Sequence, residues 1–214
     1  MIHIREDIQT IFKKDPAARS VLEILLCYPG FHAVLLHRIA HKFWTLKLYL
    51  IARIISHLSR FLTGIEIHPA AKLGRRVFID HGMGVVIGET AVVGDDVLIY
   101  KGVLLGGSSI EKKKRHPTIG NNVVLGSNAI VLGCVKVGDN ARIAAASVVT
   151  HDVPPNATAI GVPARLSLGY DPDETLKLEH SKLPDPVSEA LKYVLEQNQK
   201  LSNKVDKLIK GGKG

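Results

Sequence analysis

The 214-residue chain is predicted to be α+β: a helical N-terminal region, then a solenoid of short parallel strands forming a β-helix, then a C-terminal coiled-coil-like helix. Three observations predict it. Aliphatic residues recur at every sixth position through the middle of the chain, glycines follow many of them, and the flanking segments carry apolar residues at helical spacings.

The central repeat runs Ile67, Leu73, Ile79, Val85, then, after a two-residue insertion, Ile87, Val93, Ile99, Leu105. After a longer insertion it resumes at Ile119, Leu125, Val131, Val137, Ile143 and Val149. Small or β-branched residues lie four positions beyond, as at Ala91, Val97, Val103, Val123, Ala129, Val135, Ala141 and Ser147. A helix needs apolar positions three and four apart, and a lone strand needs simple alternation; period six fits neither. It fits short strands joined by tight bends, with the aliphatic inward and glycine supplying corner conformations that other residues resist. Stacked turns then bury one continuous apolar column.

The predicted domains are a helical region at 1–62, the β-helix at 63–153 with a loop insertion at 107–118, an extended loop at 154–185 and a tail helix at 186–214. In the first, His32–Trp44 and Leu46–Arg60 mix Leu, Ile and Ala with Arg, Lys and His at helical spacings, punctuated by Asp15-Pro16 and Pro29-Gly30. Pro154-Pro155 and Pro163 are expected to end the coil. In the tail, Leu191, Asn198 and Val205 fall at one heptad position and Val194, Leu201 and Leu208 at the other, a spacing that favours the seam of a self-associating helix, with a single helix packed on its own subunit or frayed as the plainer alternative.

Composition narrows the function. An apolar fraction of 46% supports a true core, and the net charge of +8 suits a phosphate-bearing cofactor as well as a nucleic acid. The densest basic run, Lys112–Arg115, has no interleaved aromatics to stack bases, so nucleic-acid binding is not expected. The first ten residues include Arg5, Glu6 and Asp7, unlike a secretory signal, and the longest apolar runs, Val21–Cys27 and Leu48–Ala52, are short of a membrane span. No membrane association and a cytoplasmic location are the expectations. The two cysteines, Cys27 and Cys134, form no disulfide framework or thiolate zinc site and are expected to be buried small apolar residues.

Two places carry chemistry. In Ile79-Asp80-His81-Gly82 the inward residue is Ile79, so Asp80 and His81 belong to the bend outside it. An imidazole beside a carboxylate suits a general base near neutral pH, although Asp-His also commonly decorates a turn. The insertion Gly107–Thr118 holds Lys112, Lys113, Lys114, Arg115 and His116 and re-enters through Pro117. A long excursion from so regular a scaffold is often functional, and arginine there could grip a carboxylate through two parallel hydrogen bonds; a solvated basic loop is the plainer alternative.

The period-six pattern resembles the hexapeptide-repeat proteins, which implies a left-handed coil where the general crossover rule favours right-handed. The chain further resembles the bacterial serine acetyltransferases, from Asp15-Pro16-Ala17 and Gly30-Phe31-His32-Ala33 through Ile67-His68-Pro69-Ala70-Ala71, Asp80-His81, Gly88-Glu89-Thr90-Ala91, Leu105-Gly106-Gly107 and Arg115-His116-Pro117 to Gly161-Val162-Pro163-Ala164-Arg165. That resemblance implies transfer of acetyl from acetyl-CoA to L-serine by direct attack, in cysteine biosynthesis, with no metal and with L-cysteine as feedback inhibitor. It implies His81 as the base, Asp15 and Asp80 at the substrate ammonium, and Arg115 with His116 at its carboxylate. CoA would lie between neighbouring coils near Gly107, Ser127 and Ala145. The family's orienting aspartate is replaced by Glu66, which keeps a carboxylate on a longer stem. A homotrimer is implied; a dimer of trimers is put in doubt by the short N-terminal region. The chain ends Lys210-Gly211-Gly212-Lys213-Gly214 instead of in the isoleucine with which family members dock into O-acetylserine sulfhydrylase, so that docking is doubtful.

Three other readings compete. Another hexapeptide O-acetyltransferase, acting on a sugar or a different amino-alcohol, would keep the base but not need both an ammonium site and a carboxylate grip. A β-helical zinc enzyme could use His68, His81 and His116, although Arg115 beside His116 disfavours a cation. A catalytically silent trimeric scaffold would have no need of His81.

Overall fold

The computed structural model describes residues 3–167 and 193–202. Four helices come first: α1 (Ile4–Lys14), α2 (Val21–Cys27), α3 (Pro29–Thr45) and α4 (Tyr49–Thr63). Asp15 closes α1, its amide donating to the Ile11 carbonyl, and Pro16 follows, unable to continue the ladder. Ser20 caps α2 by accepting from the Glu23 amide. Pro29, expected as a break, is instead the first residue of α3, where its missing N–H costs nothing.

The strands form three parallel sheets, one for each face of a prism. Sheet A stacks β1 (Glu66–Ile67), β4 (Val86–Ile87), β7 (Leu104–Gly106), β10 (Ile130–Leu132) and β13 (Val148–Val149). Sheet B stacks β2 (Lys72–Leu73), β5 (Val92–Val93), β8 (Thr118–Ile119) and β11 (Lys136–Val137). Sheet C stacks β3 (Phe78–Ile79), β6 (Leu98–Ile99), β9 (Val124–Leu125), β12 (Arg142–Ile143) and β14 (Thr158–Ile160), with β15 (Arg165–Ser167) antiparallel at its end. Ile87 pairs with Leu105 and Val131 with Val149, one coil of 18 positions apart.

The period-six aliphatics form the inner column. All are at most 4% exposed except Leu73, which packs half-buried at the open end of the coil. The residues four positions on, from Ala91 to Ser147, are buried with them. The corners between sheets B and C each carry one left-handed residue, Arg76, Asp96, Asn122, Asn140 and Asn156, and most of these are Asn or Asp, types that tolerate positive φ.

Two features differ from expectation. The segment from 154, expected to be an extended loop, carries β14 and β15: Thr158 pairs with Arg142, so the coil continues past the double proline. The prolines sit in the corner before the strand, where no ladder donor is missed. Both cysteines are exposed, Cys27 at the end of a short surface helix and Cys134 at the corner between β10 and β11. Residues 193–202 are helical, with Val194 and Leu201 of the predicted seam exposed; Leu191, Val205 and Leu208 lie outside the described residues. Among the described residues no single helix is long and apolar enough to cross a membrane.

The outer face of sheet C is covered by the helices, through Ile11, Ile24 and Phe31 against Phe78, Leu98 and Val124. Gly30 makes that approach possible: a Cβ there would stand 1.9 Å from the Ile79 carbonyl oxygen. Gly30→Ala is expected to cost about 1–3 kcal/mol through overpacking, read as a lowered midpoint of thermal unfolding. A midpoint equal to or above that of the natural chain would show that α3 can lift away without loss. Helix α4 turns Ala52, Ser56, Ser59 and Thr63 inward and leaves Leu50, Ile54, Leu58, Phe61 and Leu62 exposed. The Ser56 hydroxyl donates to the Ile67 carbonyl at 2.7 Å, fixing the small face on the first coil.

Candidate active site

The two-residue insertion that interrupts the repeat after Ile79 builds the corner bearing His81. His81, Gly82 and Gly84 all adopt positive φ, where the other corners between sheets C and A have one such residue each, Gly102, Asn128 and Ala146. Two extra residues thus push the loop out from the prism, and the His81 side chain is 76% exposed. Its imidazole Nε2 is 3.8 Å from Asp80 Oδ1, within ion-pair range and beyond hydrogen-bond range.

Asp80 is half-buried, and burial raises its carboxyl above its ordinary value, with Asp15 adding to the rise and His81 opposing it. Asp15 arrives from the end of α1. Its Oδ2 accepts from the Tyr28 hydroxyl at 2.7 Å and its Oδ1 from the Ala17 amide at 2.8 Å. Tyr28 is raised well above its ordinary value, by burial first and then by that bond to Asp15. One coil beyond Asp80 stands Tyr100, its phenol raised by burial and by Asp80 and Asp15. A half-buried carboxylate raised in part by a second one, beside an imidazole, is suited to a cation with protons to donate.

The second group lies on another edge of the prism. Gly107 to Pro117 leaves the coil between sheets A and B, whereas the His81 corner lies between sheets C and A. Arg115 pairs with Glu89 of the preceding coil and holds that carboxyl below its usual range. His116 is 8% exposed and lies under the Gly88 to Thr90 corner. A Cβ at Gly88 would stand 2.0 Å from the His116 ring, so that glycine makes the ring's place. Burial first, then Arg115, lowers the His116 pKa.

The structure therefore joins Asp15, Asp80 and His81 in one group and Arg115 and His116 in another, and does not join the groups within one chain. Ser127 and Ala145 fall on the His81 edge: the Asn128 amide donates to the Lys101 carbonyl and that of Ala146 to Ser127, stacking successive corners. Gly107 is on the Arg115 edge, so a groove between coils of a single chain does not collect all three positions expected at CoA. Where a pairing of Glu66 with His81 is expected, the Glu66 carboxylate meets Arg60 at 3.2 Å, at the end of α4, and His81 has Asp80. The longer glutamate stem reaches outward from sheet A to that helix. The alternative zinc histidines are likewise divided, His68 and His116 on one edge and His81 on another; among the described residues no three His, Cys, Asp or Glu of the chain are grouped to hold a metal.

Sequence reasoning gave no role to Tyr28, Glu89, Thr90 or Tyr100. Tyr100 had a signal, since it occupies the position after the inward aliphatic one coil beyond Asp80. Glu89 and Thr90 stand in a corner whose glycine is followed by polar residues, a pattern that elsewhere in the coil is only structural.

Known proteins bear on this arrangement. Residues 1–35 match the family described as serine acetyltransferase, N-terminal, and residues 116–151 match bacterial transferase hexapeptide (six repeats). A serine acetyltransferase of Bacillus pumilus is 51% identical over 205 residues, covering 96% of this chain and 94% of that one. The chain belongs to the serine acetyltransferase family. Its coil is accordingly the left-handed β-helix of the hexapeptide transferases. Among solved members, the serine acetyltransferase of Neisseria gonorrhoeae in complex with serine superposes with a TM-score of 0.74 at 42% identity, covering 77% of this chain and 67% of that one. A serine acetyltransferase in complex with cysteine gives 0.79 at 38% identity, covering 83% and 69%. The family's acyltransfer chemistry needs a base, an acceptor site and a thioester slot, and it is against those needs that the two groups are read.

Proposed function

We propose that the chain transfers acetyl from acetyl-CoA to the hydroxyl of L-serine, giving O-acetyl-L-serine and CoA, at a site shared by two neighbouring chains of a homotrimer. The observation that carries this reading is that Asp15 lies near enough to Asp80 to help raise it, beside His81: an ammonium held by the carboxylates would set a β-hydroxyl within reach of the imidazole. Arg115 and His116 supply the complementary donors for the carboxylate. An acceptor with both groups, such as an amino acid, uses everything present, whereas a sugar would leave the charged groups unmatched.

In this reading His81 takes the hydroxyl proton as the serine oxygen attacks the thioester carbon. The new C–O bond forms, the C–S bond breaks, and the departing thiolate recovers the proton from the imidazolium. No acyl-enzyme is needed. CoA runs where the His81 edge of one chain, with Ser127 and Ala145, meets the Gly107 edge of the next. Cysteine presents the same ammonium and carboxylate with a thiol in place of the hydroxyl, which makes it a competitor at this site.

Two features support assembly. Neither group completes a site alone, and the exposed apolar face of α4 is of the kind that marks an interaction surface. Glu66 is assigned the orienting role toward His81 when serine is bound. Its present ion pair with Arg60 is exposed at both side chains and is worth little, so exchanging it costs little. Glu66→Gln is then expected to lower kcat at least about tenfold. An unchanged kcat removes Glu66 from the catalytic set.

The test of the whole reading follows CoA release from acetyl-CoA with L-serine, set against D-serine, homoserine and a sugar. Preference for L-serine supports it. An equal or faster rate with the sugar overturns it.

A further inference from the structure

We propose that Thr90 is a positioning residue of this site, fixing His116 as a neutral imidazole with its proton on Nε2 and holding Arg115 beside it. The inference rests on the reading of Arg115 and His116 as the carboxylate grip.

Thr90 occupies the corner between β4 and β5. Its hydroxyl oxygen accepts from the backbone amides of Arg115 and His116, both at 3.0 Å. Those two bonds use its lone pairs and leave the hydroxyl hydrogen for His116 Nδ1, 2.8 Å away. The amide of Thr90 also donates to Nδ1, at 3.2 Å. An amide can only donate, so Nδ1 is an acceptor and the ring proton lies on Nε2. The loop is tied to the same corner by Lys114, whose Nζ donates to the carbonyls of Thr90 at 2.6 Å and Pro117 at 3.2 Å.

The corner thus does three separate jobs in three consecutive residues. Gly88 leaves room for the ring, Glu89 holds the guanidinium, and Thr90 sets the tautomer. Nε2 comes out beside Gly107, where an added Cβ would stand 3.2 Å from it. The edge then presents two donors, Nε2–H and the guanidinium, one nitrogen of which is taken by Glu89. That suits a carboxylate and leaves proton removal to His81. With the proton on Nδ1 instead, Nε2 would turn a lone pair toward the anion and repel it.

The experiment records ¹⁵N spectra of the ligand-free, histidine-labelled chain, with His116→Gln identifying the His116 signals, alongside steady-state kinetics for L-serine. The natural chain should show an unprotonated Nδ1 and a protonated Nε2. Thr90→Val, which keeps the shape but leaves the Arg115 and His116 amides without their acceptor, should let the ring draw away from the remaining Thr90 amide, mix the tautomers and raise KM for L-serine about tenfold, with kcat changed less. Thr90→Ser should restore both. A protonated Nδ1 in the natural chain, or a Thr90→Val spectrum identical to it, overturns the inference. If Thr90→Val does not fold, the spectra of the natural chain and of Thr90→Ser decide, since both must show the Nε2–H form. Mixed tautomers with an unmoved KM uphold the hold of Thr90 on His116 and refute instead the place of His116 in the serine site.

Discussion

Replacing His81 by alanine is expected to slow serine-dependent CoA release by roughly 10²–10⁴-fold, the loss that follows removal of a general base. Serine without a partner for its hydroxyl proton is a poor nucleophile toward a thioester, and in the proposed site the acidic group at Asp15 and Asp80 would bind the substrate without activating it. KM for serine should therefore move much less than kcat. The side chain is 76% exposed, so its loss opens no cavity. The backbone matters more, because His81 has a φ of 59°, a region that costs alanine roughly 1 kcal/mol or more. His81→Asn separates the two effects, since asparagine occupies the same conformation at Asn128 and Asn140. Both variants should lose activity alike, and the asparagine variant should melt at or near the natural midpoint. Activity within a few-fold of the natural enzyme in His81→Asn would mean that another group removes the proton.

The second large effect is recovery from two inactive partners. Arg115→Ala would remove the proposed charge-assisted grip on the carboxylate and should raise KM for serine by about 10–100-fold. Assayed with serine well below KM, it and His81→Ala are each nearly silent. If the site forms where the His81 edge of one chain meets the Arg115 edge of the next, a mixed trimer contains one interface with both residues intact. Co-expressed with two different tags and purified through both, such trimers should recover about a third of the natural rate, one site in three. If one chain supplies both residues to its own site, every site carries a lesion and nothing is recovered. The prediction follows from the sheet order: His81 lies between sheets C and A, Arg115 between sheets A and B, with the width of sheet A separating them.

How far each of these could be foreseen depends on how local the deciding contacts are. The coil was legible because each turn touches only its neighbours, so an aliphatic at every sixth position is enough to specify the inner column from Ile67 to Val149. Even the His81 corner left a trace, as the two-residue break between Ile79 and Ile87 that made room for three positive-φ residues. The residue types of the site were equally legible, since a base, carboxylates and a basic insertion are properties of the string itself. The exposed cysteines and the strands past Pro155 were not: burial and pairing there depend on which corner faces outward and on whether one more coil finds a partner in Arg142 and Ile143.

By itself, then, the sequence determined the period, the corners and the chemical inventory, because those follow from local sterics and nearest-neighbour stacking. Tertiary structure alone decided which of the chemical residues meet. Asp15 reaches Asp80 only because α1 and α3 pack on sheet C, with Gly30 against the Ile79 carbonyl and Tyr28 holding the carboxylate. Glu66 met Arg60 because a longer stem on an outer face takes the nearest opposite charge. Thr90 met His116 across 26 positions because the insertion folds back onto the preceding coil. Such contacts close long loops and are selected by packing geometry, to which no spacing in the sequence corresponds.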